Sequence, residues 1–148
     1  MSSNSGAIGS ANEFGFGASD SYALGNNNTI GTQALGGPAT ENVFVLGNGV
    51  TVEDGAEGAL VLGSRVTVPF GVTNALVLGN DAGVTANNGV AIGQGAQVSA
   101  ANGVALGSGS TATGAGLNTT AYLVGGTAAS EVSRAGVAAT VGAEWVFN

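Results

Sequence analysis

Asn74-Ala-Leu-Val-Leu-Gly79, Asn88-Gly-Val-Ala-Ile-Gly93 and Asn102-Gly-Val-Ala-Leu-Gly107 are three versions of one hexapeptide, each fourteen residues after the last. A short alternating segment follows each one: Asp81-Ala-Gly-Val-Thr85, Ala96-Gln-Val-Ser99 and Ser110-Thr-Ala-Thr113. One period thus holds an apolar run, a turn, an alternating run and a second turn. Self-similarity at a fixed short period marks a repeat protein in which no single repeat buries its own face. Two short strands per period, stacked strand on strand, give an all-β solenoid or roll.

The register extends towards the N-terminus. Runs closing on Gly9, Gly25, Gly47 and Gly63 precede the three above, and a degenerate Thr120-Ala-Tyr-Leu-Val-Gly125 follows them. Most coils hold 14 or 16 residues; the step from Gly25 to Gly47 is longer and carries Gly36-Gly37-Pro38, read as a loop excursion. Asn42, Asn74, Asn88 and Asn102 open their runs, and Gly47, Gly63, Gly79, Gly93 and Gly107 close them. Asn tolerates the left-handed conformation of a tight turn and can bond the turn backbone; Gly has no Cβ to forbid it.

The two strands of a coil differ. The second is apolar on one side (Val50 and Val52, Val66 and Val68, Ala82 and Val84, Ala96 and Val98) and polar on the other (Thr51, Thr67, Thr85, Gln97, Thr111). It is expected to face core on one side and water on the other. The first strand is apolar on both sides: Leu60 and Leu62, Leu76 and Leu78, Val90 and Ile92, Val104 and Leu106 on one, and the column containing Ala75, Val77 and Ala91 on the other. Such a strand is buried on both faces. Of the two columns, Leu62, Leu78, Ile92 and Leu106 are expected to point into the roll. A coil this thin cannot cover the outer face of its own first strand, so self-association is expected. The packing residues of roll core and subunit contact are then Leu60, Leu62, Leu76, Val77, Leu78, Val90, Ile92, Val104 and Leu106.

The period fails after Gly114. Residues 1–114 are therefore read as the repeat unit, and 115–148 as a β-rich cap or docking segment, with Tyr122, Trp145 and Phe147 as its bulky apolar groups. A repeat stack needs its last coil covered, and no heptad pattern follows that would make a stalk.

Composition narrows the function. The net charge is -7, and the only basic residues are Arg65 and Arg134, which argues against nucleic acid and anionic membrane surfaces as partners. There is no His and no Cys, so catalytic imidazole and thiolate ligands are excluded. The nearest carboxylates in sequence, Glu53, Asp54 and Glu57, fall at a coil corner and read as a solvated turn. Calcium-binding β-roll repeats would need Gly-Gly-x-Gly-x-Asp in series. Gly93-Gln-Gly95 and Gly107-Ser-Gly109 lack the strand-loop-helix setting of a phosphate loop. A flat threonine ladder would suggest ice binding, but Gln97 interrupts it. No run of ~18 apolar residues is present to span a membrane as a helix, and Met1-Ser-Ser-Asn-Ser does not read as a signal peptide. No enzyme activity, cofactor or metal is expected.

The repeated Asn-Gly-Val-Ala-Ile-Gly and Asn-Gly-Val-Ala-Leu-Gly, each followed by Ala-x-Val or Ser-x-Ala, resemble the head repeats of YadA-like trimeric autotransporter adhesins over about residues 4–113. The resemblance implies a left-handed parallel β-roll and a homotrimeric head. It stops at the C-terminal segment, where Ser130-Glu-Val-Ser-Arg134 is only faintly like the family's neck and no stalk or anchor follows. The expectation is a non-enzymatic trimeric structural protein: a bacteriophage fibre, tip or decoration protein with an adhesin-type head, or alternatively a piece of a bacterial surface adhesin. Its partners would be itself, a neighbour on the virion or cell surface, and a host receptor or glycan.

Overall fold

The structure, a computed structural model, describes residues 4–31 and 37–113. Tyr122, Trp145 and Phe147, and with them the cap or docking segment, lie outside the described residues. Among the described residues all regular structure is β. One set of strands comprises β1 (Gly6–Ser10), β3 (Tyr22–Asn26), β5 (Phe44–Asn48), β7 (Leu60–Leu62), β9 (Leu76–Leu78), β11 (Val90–Ile92) and β13 (Val104–Leu106). The other comprises β2 (Glu13–Phe14), β4 (Thr29–Ile30), β6 (Thr51–Val52), β8 (Thr67–Val68), β10 (Gly83–Val84), β12 (Gln97–Val98) and β14 (Thr111–Ala112).

The odd-numbered strands form one seven-stranded sheet in the order β1-β3-β5-β7-β9-β11-β13, here sheet A. The even-numbered strands form sheet B, β2-β4-β6-β8, and sheet C, β10-β12-β14. Every pairing is parallel and joins a strand to its counterpart one coil on; Val61 pairs with Val77, Val77 with Ala91 and Ala91 with Ala105. Parallel neighbours normally need a long crossover. Here the crossover is the other half of the coil, which makes the fold a β-solenoid.

The turns follow from the residues that open and close each run. Asn42, Asn74, Asn88 and Asn102 have φ of 58°, 56°, 57° and 60°, the left-handed region that asparagine tolerates best after glycine. Gly47, Gly63, Gly79, Gly93 and Gly107 stack one above another, so closely that a Cβ on any of the first four would strike the next glycine's carbonyl.

The core lies between sheet A and sheets B and C and is almost wholly valine and alanine. Val45, Val61, Val77, Ala91 and Ala105 point inward from sheet A, and Val52, Val68, Val84, Val98 and Ala112 face them. Each buried valine contributes roughly 1.5–3 kcal/mol of transfer free energy. Phe14 and Ile30 enlarge this layer in the first two coils, with Phe14 packed partly buried against the end of the core.

The expectation that the Leu/Ile column fills the interior is overturned. Leu62, Leu78 and Ile92 are half-buried and Leu106 is exposed, all pointing away from the core. The reason is width. A Cβ on Gly89 would sit 2.5 Å from Val84 Cγ1 and 3.0 Å from Val98 Cγ1, so the sheets approach too closely for leucine between them. The small column goes inside because only small residues fit.

Polar groups trapped in the roll are bonded. The Ser21 hydroxyl donates to Ser19 O at 3.0 Å and accepts from Val43 N–H at 3.1 Å. Asn28, fully buried, donates to Asn12 Oδ1 at 2.9 Å and Gly47 O at 2.8 Å, and accepts from Val50 N–H. Among the described residues no buried side-chain polar atom lacks a partner, as the cost of burying an unpaired polar group requires.

Candidate functional surface: the outer face of sheet A

Because side chains alternate along a strand, turning the Val/Ala column inward turns the larger residues outward. Two parallel columns result on sheet A. One runs Tyr22, Phe44, Leu60, Leu76, Val90, Val104 and the other Ile8, Leu24, Leu46, Leu62, Leu78, Ile92, Leu106, each residue in register with the next. All thirteen side chains are apolar or aromatic. Ile8 is 70% exposed, Tyr22 49% and Leu106 46%; Phe44, Leu46 and Leu60 are exposed as well, while Leu62, Leu76, Leu78, Val90 and Ile92 are half-buried. Seven strands at ~4.8 Å spacing extend this face over about 29 Å. Its accessible area is on the order of several hundred Å2, at or above the largest apolar patch of a typical soluble monomer. At the N-terminal end the Tyr22 ring lies over Gly6, where a Cβ would meet Tyr22 Cδ1 and Cε1 at 3.2 Å.

Amide ladders rim the face on both sides. On one edge Asn74 Nδ2 donates to Asn88 Oδ1 at 3.1 Å, and Asn88 repeats the bond to Asn102, also at 3.1 Å. Asn4 donates to Asp20 in the same column. On the other edge Asn26 Oδ1 accepts from Ser10 N–H, Asn48 Oδ1 from Asn26 N–H and Asn80 Oδ1 from Ser64 N–H, each at 2.9 Å. An apolar centre with a satisfied polar rim is the anatomy of a protein–protein interface.

The opposite side of the roll is different in kind. Thr29, Thr51 and Thr67 are in register on the outside of sheet B. Gly83, Gln97 and Thr111 continue the column on sheet C. This makes a polar ladder one residue wide, broken at Gly83 and Gln97.

Ionic chemistry is sparse. Arg65 Nε and Nη2 donate to the two carboxylate oxygens of Asp81, both at 2.7 Å, one coil apart at an exposed turn. The hydrogen bond from Arg65 holds the Asp81 carboxyl below its ordinary range, and the same bond raises the guanidinium. Of the corner carboxylates, Glu53 accepts from Phe70 N–H at 2.9 Å, and Asp54 is buried. Among the described residues no three His, Cys, Asp or Glu side chains converge to hold a metal, and no helix is long and apolar enough to cross a membrane.

Of the packing residues expected from sequence, Leu60, Leu62, Leu76, Leu78, Val90, Ile92, Val104 and Leu106 therefore come together on one outward face, while Val77 alone lies in the core. Sequence reasoning missed the Arg65–Asp81 pair and the amide ladders. Their signal was present: each bonded pair is separated by one coil period. Comparison with protein-family models, with curated proteins and with solved structures finds no match to this chain.

Proposed function

We propose that this chain is a non-enzymatic structural module of the fibre or adhesin class, a homotrimer in which the outer face of sheet A packs against the same face of two other copies. The unbroken double column of apolar side chains on sheet A is the observation that carries this reading. Left in water, the face has nothing to offset its hydration cost; buried, each Leu or Phe on it contributes up to ~1.5–3 kcal/mol. A three-fold axis brings the same face of every copy to one line, which suits a surface with no charged side chain in either column. The resemblance of the repeats to trimeric adhesin heads favours three copies over two. The polar ladder of sheets B and C then forms the outside of a stiff rod on a virion or bacterial surface, available to a neighbouring protein or to a host receptor or glycan.

Sedimentation equilibrium on the whole chain tests this. The expected result is a trimer across micromolar concentrations. A folded, soluble monomer over that range overturns the proposal.

A further inference from the structure

We propose that the roll consists of two blocks, β1–β8 and β9–β14, and that it bends at a seam between β8 and β10, with sheet A as the hinge and the Arg65–Asp81 pair as its clasp. The outer wall of the roll loses its backbone bonds there, although β8 and β10 stay packed side by side. At each neighbouring step two backbone bonds join successive coils. Thr51 N–H donates to Val66 O and Glu53 N–H to Val68 O, both at 2.9 Å. Gly83 N–H donates to Ala96 O and Thr85 N–H to Val98 O, both at 2.8 Å. The corresponding bonds between β8 and β10 would run from residue 67 to Ala82 and from residue 69 to Val84. Residue 69 is a proline, which has no N–H to give. Sheet B ends at β8, sheet C begins at β10, and no ladder joins them.

The coil corner changes size at the same step. Five residues, Pro69 to Thr73, turn the chain from β8 towards β9; only three, Thr85 to Asn87, lie between β10 and Asn88, which opens the run of β11. The longer corner overhangs the shorter one. Phe70 is left 64% exposed, and a Cβ on Gly71 would meet nothing within 4 Å. Sheet A, by contrast, passes through the step unbroken, with Leu60, Val61 and Leu62 paired to Leu76, Val77 and Leu78. A wall bonded throughout, facing a wall with one packed but unbonded step, is the geometry of a hinge.

The ion pair spans these same two coils. Arg65 and Asp81 have φ of 57° and 58°, the left-handed region, which aspartate tolerates and arginine does not favour. Gly49, Gly95 and Gly109 occupy the equivalent place in other coils, with φ of 65°, 66° and 67°, and Ala11 and Asn27 in the first two, both with φ of 55°. An exposed ion pair contributes only ~0–1 kcal/mol, so its part here rests on its place across the unbonded step. Its bidentate geometry does fix the angle between the coils that carry it. In a stack held by nearest-neighbour contacts, the step with fewest backbone bonds opens first.

The chain has no cysteine, so spin labels can be placed in pairs without altering a native thiol. Thr51→Cys with Gln97→Cys spans the seam over three coil steps, and Glu13→Cys with Thr67→Cys spans three steps inside the first block. Labelled chains are diluted into unlabelled ones so that only distances within a chain are read. The expected result is a distance distribution at least twice as broad across the seam as within the block. It broadens further in Asp81→Asn and narrows in Pro69→Thr, which restores a donor for Val84 O. Equal widths for the two pairs, with no change in Asp81→Asn, overturn the hinge, as does broadening of both pairs alike. Both pairs lie on the polar side of the roll, so the labels themselves do not intrude on association through sheet A.

Discussion

The carbonyl oxygen of Gly93 occupies the space that a Cβ on Gly79 would need. The obstacle is backbone of the next coil, which cannot swing aside as a flexible side chain could. Gly79 also has φ of 147°, outside the range L-residues favour. Gly79→Ala is therefore expected to cost more than 3 kcal/mol or to prevent folding. Gly95→Ala is the control: its φ is 66° and a Cβ there would touch nothing within 4 Å, so only the left-handed penalty of ~1–2 kcal/mol applies. Urea titrations of the two variants check the difference; equal midpoints would show that close stacking of the glycines does not limit the fold.

Gly89 tests the width of the core. Its missing Cβ would meet Val84 Cγ1 at 2.5 Å, Val98 Cγ1 at 3.0 Å and Ala86 O at 3.1 Å. Gly89→Ala is expected to destabilise by about 1–3 kcal/mol through overpacking. Val84→Ala alone removes buried methyl groups and also destabilises. Combined, the two should cost less than the sum of their separate effects, because the second change vacates the space that the first needs. A double-mutant cycle with a coupling energy of at least about 0.5 kcal/mol is the expected reading; strict additivity would mean that the coil relaxes elsewhere.

These two glycines also show where sequence reasoning succeeded and where it stopped. The period, the turn residues and the inward face of the second strand were legible because each rests on a local rule: fixed spacing, left-handed tolerance at Asn and Gly, alternation of Val with Thr. The inward face of the first strand was not legible, because Leu and Val are both apolar and alternation alone does not choose between them. The distance between two sheets decides it, and that distance is a property of the whole coil. Gly89 and Gly103, standing where Ala59 and Ala75 stand in earlier coils, carried the clue that the inward column was being trimmed to fit. The candidate face was half legible: its residues were identified, but most of them as filling the roll rather than covering it.

The amide ladder makes a prediction of opposite character, since it is exposed. Asn88 accepts from Asn74 and donates to Asn102, and it holds φ at 57°. Asn88→Ala loses both bonds and adds left-handed strain, for an expected cost of about 1–2 kcal/mol. Asn88→Gly loses the bonds but relieves the strain, so it should lie closer to the native protein. Asn88→Asp keeps the acceptor for Asn74 but sets a carboxylate against Asn102 Oδ1. If thermal unfolding ranks alanine above glycine, the backbone conformation is not what the asparagine supplies.

Three aspartate substitutions separate folding from association. Val77 is fully buried between sheets, so Val77→Asp places an unpaired carboxylate in the core and is expected to abolish folding, at a cost of several kcal/mol. Thr111 is exposed on sheet C, and Thr111→Asp should stay within about 0.5 kcal/mol of the native protein. Ile92 is the informative position. It lies half-buried on β11, the last strand but one of the apolar face, pointing away from the core. If that face is covered by other copies, Ile92→Asp introduces charge into their contact while leaving the coil's own interior intact. The expected outcome is a chain with native β circular dichroism that sediments as a monomer and melts at a temperature independent of protein concentration, whereas the native protein's melting temperature falls on dilution. Should Ile92→Asp sediment and melt like the native chain, the outer face of sheet A is not where the copies meet. Should it unfold as completely as Val77→Asp, folding and association are one step, and the roll has no stable existence outside its assembly.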